Sequence, residues 1–203
     1  MAASKESSPL SVTEYLDRIA STARRVSAAA VEELVNAILE AYRNNRFVFV
    51  IGNGGSGSNA SHLCEDLGKG TVSDFDAQKR LKILSLTDNT PYILAWANDA
   101  GYERIFVEQL RNLASPGDLL IAISGSGNSP NILQAVSFAN EHGMKTFGVT
   151  GCDGGELKQA AEASLIVPCP DMGMIEAIHS ILFHYLVDQL RERFRQEHTR
   201  PPK

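Results

Sequence analysis

Nowhere in the chain does an apolar run approach the ~20 residues of a membrane-spanning helix. Residues 1–9 are polar and lack the apolar core of a secretion signal. Neither a membrane partner nor export is expected, and the cytoplasm is the expected compartment. Cysteine is scarce: Cys64, Cys152 and Cys169 are odd in number and lack CxxC spacing, which excludes a disulfide framework and a structural zinc ribbon. Each is read as a free thiol serving as a small buried hydrophobe. Basic charge is also short, with 19 Lys and Arg against 24 Asp and Glu for a net charge of −5, and no basic stripe is interleaved with aromatics. A nucleic-acid surface is therefore not expected. The single tryptophan, Trp96, reads as core or subunit packing. Internal repeats and low-complexity linkers are missing too, which leaves one domain over residues 1–203 with enough apolar residues, 43%, for a substantial core.

Within that domain, helical periodicity appears twice before any strand. It runs through Leu16, Ile19, Ala23 and Val26, then through Val31, Leu34, Val35, Ile38 and Tyr42. Short apolar runs rich in β-branched residues follow at 47–51, 81–86, 119–124, 146–150 and 165–167, separated by helical segments. Continuous runs of this kind suit parallel strands covered on both faces. The expected fold is an α/β/α sandwich on a central five-stranded parallel sheet, with ligand at the carboxyl ends of the strands. Residues 1–44 make two amino-terminal helices, 45–197 the sandwich and 198–203 a polar tail, with a last long helix over 173–195. The two leading helices are expected to bury their apolar faces on the same helices of another subunit.

Two loops carry the chemistry. The run 119–124 opens into Ser124-Gly-Ser-Gly-Asn-Ser129, where three hydroxyls and approachable backbone amides suit a phosphate, and a helix starting near Ser129-Pro130 adds its positive end. The run 47–51 opens into Gly52-Asn-Gly-Gly-Ser56 in the same strand-to-loop context. Two such turns converging on one ligand point to a small phosphorylated metabolite.

With both loops in place the chain resembles the sugar isomerase (SIS) domain family, a flavodoxin-like or Rossmann-like α/β fold, and within it the phosphoheptose isomerases. The resemblance covers nearly the whole chain. It rests on Ile51-Gly-Asn-Gly-Gly-Ser56 with His62, Ala97-Asn-Asp-Ala-Gly-Tyr-Glu103 with Phe106, Pro116-Gly-Asp-Leu-Leu and Ile123-Ser-Gly-Ser-Gly-Asn-Ser-Pro-Asn131. It implies a homotetramer and an aldose–ketose isomerase that converts sedoheptulose 7-phosphate to D-glycero-D-manno-heptose 7-phosphate through an enediol, with no nucleotide cofactor. It places the phosphate on Ser56, Ser124, Ser126 and Ser129, with Asn53, Gly54 and Gly55 alongside and Asp88 on the sugar hydroxyls. Where the family usually carries a hydroxyl residue in the later loop, this chain has Gly125.

An enediol route needs a base beside the carbonyl and a group that stabilises charge on the carbonyl oxygen. The helix after Ser56 holds His62, Glu65 and Asp66, and the last helix holds Glu176, His179 and His184. The family has a catalytic Glu four residues after its His, and a Gln and a His eight apart on the last helix; some members coordinate zinc through these four. The matching positions are His62, Asp66, Glu176 and His184, so the Glu has become Asp66 and the Gln has become Glu176. Asp66 is the expected base with Glu65 as its substitute, and His184 is the second acid/base group. A site with Asp66 and Glu176 carries one more negative charge than a Glu/Gln site, which favours a divalent cation. Glu176 and His184 lie about 12 Å apart along a helix axis and must lean inward to share one. His179 reads as packing or a subunit contact. Other readings are a catalytically silent SIS tetramer that binds a protein partner, of the replication-initiator-associating type, or a sugar-phosphate sensor.

Overall fold

The computed structural model describes residues 9–199; most of the polar leader, residues 1–8, and the end of the tail, 200–203, lie outside it. Helices α1 (Val12–Ala23) and α2 (Ala28–Arg43) precede strand β1 (Phe47–Gly52) and helix α3 (Gly54–Gly70). Strand β2 (Lys82–Ser85), helix α4 (Thr90–Ala100), a 3₁₀ turn (Tyr102–Arg104) and helix α5 (Val107–Leu113) follow. The rest comprises β3 (Leu119–Ser124), α6 (Pro130–Glu141), β4 (Lys145–Gly151), α7 (Leu157–Ala160), β5 (Ala163–Val167) and α8 (Met172–Thr199). All five strands are parallel, in the order β2-β1-β3-β4-β5. This order reverses between β1 and β3, so a crevice opens at their carboxyl ends.

Alternating residues of each strand divide the core in two. Val48, Val50, Leu119, Ile121 and Ile123 face α2, α3 and α8, while Phe49, Ile51, Leu120 and Ala122 face α5, α6 and α7. The expectation for α2 is corrected here. Leu34, Val35 and Ile38 are fully buried within their own chain, so the apolar face of α2 is covered by the sandwich itself. Of the two leading helices, α1 is the one that keeps apolar surface open: Val12 and Leu16 are 77% and 58% exposed, although Ile19 and Ala23 pack against the core. The tail is also shorter than expected, since α8 carries His198 and Thr199. Arg193 pairs with Glu32 at 2.6 Å, and Arg43 with Glu197 at 2.5 Å, which ties these polar turns to α2.

The cysteines are free, as expected, but only Cys169 is buried. Cys64 is half-buried, and burial pushes its thiol up. Cys152 is exposed in the left-handed turn that follows β4, with φ 55°. Trp96 is half-buried against the second core cluster.

Candidate active site

The two loops leave adjacent strands, for Gly52 of β1 is in register with Ile123 of β3. They are clasped together by an amide pair. Asn53 Nδ2 donates to Asn131 Oδ1 at 2.9 Å and Asn131 Nδ2 returns a bond to Asn53 Oδ1 at 2.8 Å; the Tyr102 hydroxyl donates to the same oxygen at 2.9 Å. In the serine loop the Ser124 hydroxyl lies 3.3 Å from that of Ser129 and 3.5 Å from that of Ser126, so three hydroxyls share one small volume. Ser124 and, at the start of α3, Ser56 are buried, whereas Ser126 is exposed. Gly125 lies beneath α8: an ideal Cβ there would meet Met172 Sδ, and its carbonyl accepts from Gly151 N at 3.0 Å.

Helices α3 and α8 run parallel, and their seam carries the titratable groups. Along α3 the residues Gly55, Asn59, His62 and Asp66 recur at spacings of four, three and four, which is one helical stripe. That stripe faces α8. The Glu176 carboxylate lies against Gly55, where any Cβ would collide with it, and Asn59 Nδ2 donates to the Glu176 carbonyl at 3.0 Å. Further along, Asp66 Oδ2 lies 3.4 Å from His62 Nε2 and 3.3 Å from His184 Nδ1, and the two imidazoles meet edge to face at 5.0 Å. One donor atom from each of His62, Asp66 and His184 falls within 4.8 Å of the others. Two expected members stand apart. Glu65 is 100° around the helix from Asp66, exposed, with Lys69 Nζ at 3.9 Å. Glu176 sits at the first turn of α3, outside the histidine cluster.

Helix α4 is capped by Asn89, which accepts from Tyr92 N at 3.3 Å. Asp88 is left to accept from the Ser61 hydroxyl on α3, which is also 2.9 Å from Thr87 Oγ1. A cavity of about 320 Å³ opens there, lined by Asn53, Ser61, Thr87, Tyr102 and Phe106. Of these, Ser61 and Thr87 had no distinguishing sequence signal, while Asn131 and Tyr102 stand inside quoted motifs without a role that spacing alone supplies. His179 is fully buried, with Nε2 3.0 Å from the Thr150 carbonyl; burial lowers its pKa to about 4, and the hydrogen bond offsets part of that.

The model of the SIS domain matches residues 13–151. The chain is 37% identical to the phosphoheptose isomerase of Helicobacter pylori (strain P12) over 81% of its length and 84% of that protein. It is 38% identical to the phosphoheptose isomerase of Geotalea daltonii over 82% and 83% of the two chains. The solved phosphoheptose isomerase of Neisseria gonorrhoeae superposes with a TM-score of 0.80 at 28% identity, covering 89% of this chain and 96% of that one. With its two clasped loops and its histidine–carboxylate seam, the chain belongs to the SIS-domain family and, within it, to the phosphoheptose isomerases.

Proposed function

We propose that this chain is an aldose–ketose isomerase that converts sedoheptulose 7-phosphate to D-glycero-D-manno-heptose 7-phosphate through an enediol. The observation that carries the reading is the His62–Asp66–His184 cluster on the seam between α3 and α8, with the three serine hydroxyls of the loop after β3 beneath the first turn of α8. From Gly55 to His62 the seam advances about 10 Å. A ligand spans that length when it is phosphorylated at one end of a long carbon chain and reacts at the other. Ser124, Ser126, Ser129 and Ser56 hold the phosphate, with Asn53, Gly54 and Gly55 lining the approach. At the far end Asp66 removes the proton from the carbon beside the carbonyl and returns one to its neighbour. The imidazoles of His62 and His184 hold the carboxylate in place, and His184 exchanges a proton with the carbonyl oxygen.

Zinc fits the same three residues. Tetrahedral zinc with bonds of about 2.1 Å holds its donors about 3.4 Å apart, close to the two His–Asp separations, and two imidazoles with one carboxylate leave a position open. His62, Asp66 and His184 would hold it, and it would supply polarisation of the carbonyl. Incubation with sedoheptulose 7-phosphate in deuterated water, with zinc supplied, is expected to give an aldose product carrying deuterium at the exchanged carbon by NMR. Absence of deuterium from several ketose phosphates would leave the partner-binding scaffold as the better account.

Two further expectations belong to this reading. Replacing Ser124 and Ser129 together by alanine should weaken sugar-phosphate binding about thirtyfold, ~1 kcal/mol for each hydroxyl. Calorimetry reads this, with circular dichroism to confirm the fold, and unchanged affinity would remove the cradle. The working form is a homotetramer in the cytoplasm, where free thiols persist. Exposed apolar residues on α1, together with Leu94 on a helix α4 that has no buried residue, support the association. Deleting residues 1–26, which removes α1 but spares α2, should lower the mass by light scattering below that of the tetramer.

A further inference from the structure

We propose that Thr150 is a positioning residue of the phosphate site: when the serine cradle holds a phosphate, the Thr150 hydroxyl donates to Ser124 Oγ from behind and frees the Ser124 proton for the ligand. The inference rests on the sugar-phosphate reading of the site. Thr150 is fully buried, and its Oγ1 has no hydrogen-bond partner among the described residues. A buried hydroxyl in that state costs stability, so a use for it is expected. Its place in the sheet gives the use. Thr150 on β4 is in register with Ser124 on β3, and paired residues of neighbouring strands point to the same face. Two residues earlier the pair is Ala122 and Gly148; Ala122 belongs to the core cluster under α6, and a Cβ at Gly148 would meet Leu157 and Ala161 of the same cluster. Ser124 and Thr150 continue that face, toward Ser129 at the start of α6.

Backbone bonds hold Thr150 in that place. His179 Nε2 of α8 lies 3.0 Å from its carbonyl, and the next residue, Gly151, donates its N–H to the Gly125 carbonyl of the serine loop at 3.0 Å. Ser124 is 4% exposed and Thr150 is not exposed at all, so the serine touches the phosphate and the threonine acts through it. In the free cradle the hydroxyls of Ser126 and Ser129 lie 3.5 and 3.3 Å from that of Ser124, close enough to share protons. A phosphate dianion only accepts, so all three serines turn their single protons toward it. The Ser124 oxygen then has no donor among its serine neighbours. Thr150 carries a proton that no other group among the described residues takes. A donor behind Ser124 polarises its hydroxyl and strengthens the bond to the phosphate.

The test separates ligand binding from stability. Full-length wild type, Thr150→Val and Thr150→Ser are titrated by calorimetry with glucitol 6-phosphate, which has a phosphate and no carbonyl and so is not turned over. Valine keeps the shape and removes the hydroxyl, and should weaken binding about fivefold; serine keeps the hydroxyl and should stay within about twofold of wild type. In a Ser124→Ala background, Thr150→Val should cost nothing further, because the effect passes through Ser124. The melting temperature of unliganded Thr150→Val should equal or exceed that of wild type, the reverse of what a structural hydroxyl would give. Wild-type affinity in a folded Thr150→Val, or the same fivefold loss without the Ser124 hydroxyl, overturns the inference and leaves the phosphate site standing. A Thr150→Val that melts well below wild type or fails to fold overturns it too, since the hydroxyl would then be bonded within the fold. If wild type binds neither glucitol 6-phosphate nor sedoheptulose 7-phosphate, the sugar-phosphate reading falls and this inference with it.

Discussion

Asp66→Asn should lower turnover on sedoheptulose 7-phosphate about a thousandfold, while the affinity for the sugar phosphate changes by less than threefold. The asparagine keeps the size of the side chain but cannot take a proton from carbon. Its neighbour supplies the internal control. Glu65 carries the longer side chain that the family uses, yet it projects from the opposite edge of the stripe, beside Lys69. Glu65→Gln should therefore cost less than threefold. Steady-state kinetics on the two variants separates the roles, and the reverse ranking would move the base to Glu65. The small change in affinity follows from distance, because the serine cradle lies about two helical turns from the cluster.

A second large effect is expected from acid. His179 is neutral in the fold, with a pKa lowered to about 4 by burial, against about 6.5 in an unfolded chain. Between those values the unfolded chain binds the extra proton, so stability falls as pH falls. The contribution is complete above pH 6.5 and is lost on the way down to pH 4, a change of about 3 kcal/mol. Urea denaturation of wild type and His179→Gln at pH 7 and pH 4 isolates it, since glutamine offers a donor to the Thr150 carbonyl and does not titrate. The stability difference between the two proteins should shift in favour of the variant by about 3 kcal/mol at pH 4. Parallel pH curves would mean that His179 is not buried in neutral form.

Much of the fold could be read from apolar runs. Strands β1 and β3 match their expected limits within a residue, because central parallel strands are apolar throughout. Strand β2 is shorter than the run that announced it, since as an edge strand it pairs only with β1, and Leu84 is left 39% exposed. The partner of α2 was not legible. Periodicity shows that Leu34, Val35 and Ile38 need covering, and it is silent on whether the cover is this sheet or a second copy. The end of α8 was missed for a related reason: ion pairs to Glu32 and from Arg43 hold polar turns that have no apolar period.

The site divides in the same way. His62 and Asp66 are joined by helix geometry that any reader of the sequence can apply. The same geometry keeps Glu65, three residues from His62, as a candidate, and its exposed place beside Lys69 was not legible. The approach of His184 to Asp66, and of Glu176 to Gly55, depends on the register between two helices more than a hundred residues apart in sequence. Only packing sets that register. The clasp between Asn53 and Asn131 is of the same kind, a bond between two loops whose motifs are separately visible.

The contact between Gly125 and Met172 links the serine loop to the first turn of α8. A Cβ at 125 meets the methionine sulfur, so a side chain there requires Met172, flexible and 42% exposed, to turn aside. A smaller residue at 172 first opens a gap over the serine loop, which the new side chain can then occupy. The two positions are coupled, since what position 125 can carry depends on where the side chain at 172 lies.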